Sequence, residues 1–309
     1  MINWDNIKIH CSQLSNIMAG NGKSNMQMWL EACEEIVKKQ ASYDKLKKKD
    51  GSMGFKYIED IKKLEAIIPI LESQKDVEEP LSKGCKTLLS GVYAYEKYHK
   101  WNPNKDIGSD ATEKGKEVES DAIALVSVLD GVLLYKNDER IEDDWFSGWP
   151  DAFEGEELKN ATLIHDVKCP ENIESFFSYR DRDVPSNYYW QMQGYMALTG
   201  AKQAKVHFCL MNTPEHQLRR MAGSLLNRMN VISELSPEYV EAEKELINNL
   251  TYDDMPLIDR RFNFTVERND ADIERARKKV EKCREYLIEF EKLHLGIENI
   301  VPLMQIDAT

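Results

Sequence analysis

The stretch Leu163-Ile164-His165-Asp166-Val167-Lys168, preceded by Trp149-Pro150-Asp151, decides the fold of this chain. Branched and apolar residues bounded by turn formers predict a strand over Leu163–Lys168. Its period of two puts Asp166 and Lys168 on one face. His165 and Val167 turn to the other, where His165 is expected to pack on the back of the sheet. Asp151 stands fifteen residues before Asp166, so a hairpin can bring its carboxylate alongside.

Two carboxylates in one place suit a hard cation such as Mg²⁺. A cation there would polarise a phosphate and acidify an attacking water, while the lysine balances developing negative charge or orients that water. Phosphodiester hydrolysis needs these functions together. Each residue also has a plainer role: Asp151 as the turn residue after a proline, Lys168 as a solvated strand end.

Outward from the strand, Gly115-Lys116-Glu117-Val118-Glu119-Ser120-Asp121-Ala122 lies early in a predicted helix over Thr112–Leu129 and offers a third carboxylate. Downstream, Tyr188-Tyr189-Trp190-Gln191-Met192-Gln193-Gly194-Tyr195 puts Gln191 and Tyr195 four apart on one face of a helix predicted over Ser186–Thr199. They frame the acids or cap the core. Arg180 and Arg182 fall in a predicted loop, Ser175–Asn187, where guanidinium groups can meet phosphates or pair with Asp181 and Asp183.

The order Gly-x-Glu-x-Glu-x-x-Ala, Gly-x-Pro-Asp, an apolar strand ending Asp-x-Lys, and Gln-x-x-x-Tyr in a helix resembles the YqaJ-type viral recombinases, related to the lambda exonuclease and the RecB nuclease domain within the PD-(D/E)XK nucleases. The likeness covers roughly residues 110–212, and the opening strand and helix with Ser12 also look similar. It implies that Glu119, Asp151, Asp166 and Lys168 are catalytic, and that Asp151, Asp166 and the backbone carbonyl of Val167 hold the metal. Glu119 rather than Glu117 is taken as the helical acid because it is the one followed by x-x-Ala. The second acid is Asp166 where many members carry Glu. Gln191 and Tyr195 would frame the site and contact DNA, and Ser12, otherwise a helix N-cap, would meet a terminal phosphate.

By the same resemblance the cofactor is Mg²⁺, with Mn²⁺ as substitute. The substrate is the end of double-stranded DNA, cut 5′ to 3′ to leave a 3′ single strand for an annealing protein. A ring-shaped homotrimer and a bacterial or phage-infected cytoplasm follow on that basis. An endonuclease or flap nuclease on the same core, or a DNA-binding module that has lost catalysis, are the alternatives, because motif chemistry does not set substrate topology.

Composition bounds these readings. The 309 residues are 42% hydrophobic and 31% charged, which fits a globular chain with a sizeable core. A net charge of −13 argues against a surface coated in phosphate contacts. Between Lys38 and Lys63, however, nine lysines face four acids, a segregation that can steer DNA to one face or simply solvate a helix. No apolar run approaches the ~18 residues of a membrane span, and the N-terminus lacks a secretory pattern; a cytoplasmic protein is expected.

Other chemistries are poorly matched. Cys11, Cys33, Cys85, Cys169, Cys209 and Cys283 are scattered without a CxxC pair, so reduced thiols and no iron-sulfur cluster are expected. Gly22-Lys23-Ser24 lacks the phosphate-loop glycine five residues earlier, where Ile17 stands.

The expected architecture is a restriction-endonuclease-like α/β (α+β) core, a mixed central sheet flanked by helices. Residues 1–24 supply its opening strand and helix, 25–105 a mainly helical insertion, 106–212 the nuclease core and 213–309 a helical extension. Strands are expected at Val132–Asp138, within Asp143–Phe153, at Ala161–Cys169 and at Ala204–Asn212. Pro69 is expected to interrupt a helix, Ser236-Pro237 to start one, and Met255–Asp270 to break the C-terminal helices.

Overall fold

Residues 2–20, 25–50, 55–75, 80–100 and 108–298 are described by the computed structural model of the protein. Residues 21–24, with the Gly-Lys-Ser stretch, and residues 101–107 lie outside them. In chain order, strand β1 (Ile9–His10) enters a 3₁₀ turn at Cys11–Gln13 and helix α1 (Leu14–Met18). Helices α2 (Asn25–Asp50), α3 (Phe55–Gln74), α4 (Lys83–Tyr98) and α5 (Asp110–Asp130) follow. Next come β2 (Ile141–Glu142), β3 (Phe146–Gly148), β4 (Ala152–Glu154) and β5 (Leu163–Lys168). The chain continues through α6 (Ile173–Arg180), α7 (Ser186–Thr199), β6 (Gln203–Cys209), α8 (Glu215–Met229), α9 (Pro237–Leu250), β7 (Arg261–Glu267) and α10 (Asp270–Glu298). Among the described residues no helix is long and apolar enough to cross a membrane.

The chain divides into two compact units, residues 18–87 and residues 1–17 with 88–309. In the smaller unit α2 and α3 run antiparallel: Lys39 Nζ meets Asp60 at 2.7 Å, and Lys75 Nζ lies 4.4 Å from the Trp29 ring centroid. Pro69 does not interrupt α3, which runs through it to Gln74. The carbonyl that its missing N–H leaves unbonded belongs to the exposed Glu65, where water can satisfy it.

The larger unit has the expected mixed sheet flanked by helices, here divided into two sheets. In the first, β3 pairs parallel to β1 and antiparallel to β2. The second has the order β4-β5-β6-β7, with β4 and β7 antiparallel to a parallel central pair. Asp166 pairs with Val206 and Lys168 with Phe208. On the face away from Asp166, Ala122, Ile123 and Val126 of α5 form a buried cluster with Ala152, Val167 and Cys209. On the Asp166 face lies α7, with Met192 and Met196 fully buried.

Three local readings are corrected. Val132–Asp138 forms no strand; it is held by side chains, since Asn137 Nδ2 donates to Pro150 O and Glu139 O, each at 2.9 Å, and Asn137 N donates to Asp151 O at 2.8 Å. The break expected at Met255–Asp270 contains β7, whose Phe262, Phe264 and Val266 recur with period two. Residues 173–180 are helix rather than loop, because Asn172 and Ser175 form a reciprocal cap at its start. Ser236 caps α9 with Pro237 at its first position, as expected.

Candidate active site

The β4–β5 hairpin sets the first two acids side by side. Asp151, the residue before β4, accepts the Val167 N–H at 2.6 Å through Oδ2. Asp166 is fully buried. Its Oδ1 accepts from Gln191 Nε2 at 3.2 Å; its Oδ2 lies 2.7 Å from Lys168 Nζ yet receives no well-aligned hydrogen bond.

From α7, Gln191 Nε2 also reaches the Tyr195 hydroxyl at 3.0 Å, and that hydroxyl donates to the Trp149 carbonyl at 2.9 Å. This approach depends on two glycines. A Cβ on Gly148 would stand 2.5 Å from Tyr195 Cε1, and one on Gly194 would stand 2.6 Å from Leu14 Cδ1 and 2.8 Å from Cys11 Sγ.

Glu119 and Lys168 line one cleft of about 380 Å³ with Asp151 and Val167, while Asp166 lies buried behind it. Glu119 Oε1 pairs with Lys136 Nζ at 3.1 Å. Glu117 instead faces His216, 3.6 Å away, outside the cleft lining. Behind the cleft lining, the buried Lys114 donates to the carbonyl of Glu171 at 2.8 Å, tying the start of α5 to the segment after β5. Burial holds this ammonium down at about 8.

Charge is crowded here. Burial, then the neighbouring Asp166 carboxylate, pushes the Asp151 carboxyl up to about 8. Burial likewise raises Asp166, against the pull of Lys168. Burial alone would depress Lys168, but the charges of Asp166 and Asp151 outweigh it and hold its ammonium above the ordinary lysine range.

Among the described residues no three Asp, Glu, His or Cys side chains already converge as a coordination shell. The donor chemistry nevertheless fits a hard divalent ion. The groups are oxygens, two carboxylates compete for one positive partner, and a buried Asp166 oxygen lacks an aligned donor.

Other predicted residues lie elsewhere. Arg180 closes α6 and Arg182 follows it, both exposed and neither lining the cleft. Ser12 sits inside the 3₁₀ turn rather than capping α1; its Oγ is 2.7 Å from His10 Nδ1. His165 is fully buried on the opposite sheet face, its Nδ1 3.0 Å from His207 Nε2 and its Nε2 3.0 Å from Glu154 Oε1. Burial lowers both imidazoles, His207 to about 3.

Lys136, Asn137, Tyr179 and Tyr188 were not picked out from sequence. Lys136 and Asn137 lie in the segment misread as a strand, so their side chains had no assigned direction. The aromatic run at 188–190 is the sequence signal for Tyr188, whereas Tyr179 has none beyond its neighbours Phe176 and Phe177.

No family model and no curated protein matches the chain. Among solved structures it is similar to a phage-related exonuclease from Haemophilus somnus 129PT, with 22% identity over 94% of this chain and 97% of that one and a TM-score of 0.60. It is also similar to an alkaline exonuclease from Laribacter hongkongensis, with 18% identity over 71% of this chain and 88% of that one and a TM-score of 0.47. The same enzyme in complex with dAMP gives identical identity and coverage and a TM-score of 0.48. The first likeness spans nearly the whole chain, and by fold this chain is built as that phage-related exonuclease is.

Proposed function

We propose that the chain is a metal-dependent DNA exonuclease that degrades linear duplex from its ends. The observation that carries this reading is the buried Asp166, paired with Lys168 at 2.7 Å and set beside Asp151, which lines the cleft together with that lysine. The exonuclease fold supports it.

Asp151, Asp166 and the Val167 carbonyl would hold Mg²⁺, or Mn²⁺ in its place, with Glu119 at the cleft edge. The cation supplies charge neutralisation at the phosphate and a more acidic water. Lys168, kept protonated by its two carboxylates, presents a fixed positive charge to the oxygen that gains negative charge during cleavage. Gln191 fixes the Asp166 carboxylate and Tyr195 fixes the backbone leading to Asp151.

The finer reading is 5′ to 3′ digestion that leaves a 3′ strand for an annealing protein, by a ring-shaped trimer in the cytoplasm. Its support is the resemblance that the motif order bears to the YqaJ-type recombinases and the lambda exonuclease. The test is digestion of 5′-phosphorylated linear duplex and of covalently closed circles in Mg²⁺, by wild type, Asp166→Ala and Lys168→Ala. Loss of the linear substrate alone, abolished in both variants, is expected. Digestion of the circle would refute end dependence, and an inactive wild type in both Mg²⁺ and Mn²⁺ would refute the enzyme.

A further inference from the structure

One wall of the cleft is aromatic. Tyr179 from α6 and Tyr188 from α7 line it, both half-buried, with the buried Phe208 behind them. The Phe208 ring is 4.7 Å from Tyr179 and 5.7 Å from Tyr188, and it stacks on Phe262 at 5.0 Å with planes 2° apart. Tyr188 lies 5.3 Å from Lys168 Nζ. A run of rings thus begins in the core and ends beside the lysine, with its last two members partly open to the cleft.

From α5, Gly115 lines the same cleft, and a Cβ there would meet nothing within 4 Å, so room remains alongside the rings. The volume of about 380 Å³ falls within the roughly 300–1,000 Å³ typical of small-molecule sites. Covering Phe208 alone needs no aromatic ring, since a leucine would serve. Planar, partly open rings next to a cation match a ligand with a flat face beside an anion. A nucleotide has that pair of features.

We propose that Tyr179 and Tyr188 form a stacking site for an unpaired nucleobase next to the phosphodiester presented to Lys168. The site rests on the nuclease reading and adds the state of the substrate to it. A base inside a duplex has both faces covered by its neighbours, so this wall selects a nucleotide that has left the stack. Stacking of one base on a protein ring is worth about 5- to 150-fold in affinity, largely regardless of base identity. The wall therefore favours frayed ends without imposing sequence preference.

The test uses the full chain in EDTA and duplexes carrying 2-aminopurine at the 5′-terminal or the 3′-terminal nucleotide, read by fluorescence and by anisotropy. Wild type is expected to quench one of the two probes on binding. The Tyr179→Leu/Tyr188→Leu double variant should bind about tenfold more weakly and leave the probe bright. The Tyr179→Phe/Tyr188→Phe variant keeps the rings and should behave as wild type. In Mg²⁺, an abasic terminal nucleotide should lower kcat/KM for wild type but not further for the leucine variant. DNA binding and digestion without quenching at either end would overturn the stacking site and leave the nuclease standing, as would equal quenching by the leucine variant. Neither binding nor digestion by wild type would overturn both.

Discussion

The Tyr195 hydroxyl donates to the carbonyl of Trp149, two residues before Asp151, and so fastens α7 to the chain that delivers the first acid. Tyr195 is almost wholly buried, and the same hydroxyl accepts from Gln191. Tyr195→Phe leaves both partners short of a bond. A loss of roughly 1–3 kcal/mol in unfolding free energy is expected, with a larger fall in kcat than in DNA affinity, checked by urea unfolding and steady-state digestion.

Gly148 and Gly194 should resist even a methyl group. Alanine at either position drives Cβ into Tyr195 or Leu14, and overpacking of this kind costs about 1–3 kcal/mol or more. Thermal melts should fall for both, whereas Gly115→Ala, in open space on a helix, should melt no lower than wild type.

Asp151→Asn should abolish digestion yet raise stability. The folded carboxyl sits at about 8 against an ordinary 3.8, so the folded state resists losing this proton and stability drains away as pH rises from about 4 to 8. Asparagine keeps an acceptor for the Val167 N–H and removes the charge. A gain of about 1–4 kcal/mol at pH 8, shrinking towards pH 5, is expected from urea midpoints. A constant difference across that range would count against the crowded-acid account.

The back of the sheet should respond in the opposite direction. His165 and His207 are held neutral when folded, below their unfolded value of 6.5, so the unfolded chain binds more protons once pH falls through that value. The contribution of this pair should fall between about pH 6.5 and 5, against the gain from Asp151, so His207→Gln should gain stability relative to wild type across the same interval. Equal slopes would contradict this.

Lys136 competes for Glu119 at the cleft edge. Removing its charge in Lys136→Gln should tighten Mn²⁺ binding about two- to fivefold, in keeping with a partly exposed pair. Calorimetric titration checks this; unchanged affinity would mean that Glu119 takes no part in holding the ion.

The acid–lysine strand was legible because its information is local. Leu163–Lys168 has its period written in six residues, and the helices holding Glu119 and Gln191 carry long continuous patterns. What was not legible depends on partners distant in sequence. Val132–Asp138 opens with a strand-like run of branched and aromatic residues, yet Asn137 takes the carbonyls of Pro150 and Asp151 through its side chain and backbone. Phe262 and Phe264 look like a break between helices until β6 stands beside them. Arg180 lies on a helix rather than in a loop because the cap that makes its segment helical, Asn172 with Ser175, is set by side-chain geometry rather than by hydrophobic period.

The place of β7 in the chain also sets an order of events during synthesis. Its first residue, Arg261, pairs with Cys209 but follows it by 52 positions, with the α8–α9 segment made in between. At about 5–20 residues per second, β6 waits some 3–10 s on the ribosome with an unpaired apolar edge. Every residue of the candidate site is translated before that edge can close. Slowing or removing the segment from 210 to 260 should therefore act on solubility of the nascent chain, with the cleft chemistry untouched in molecules that complete the sheet.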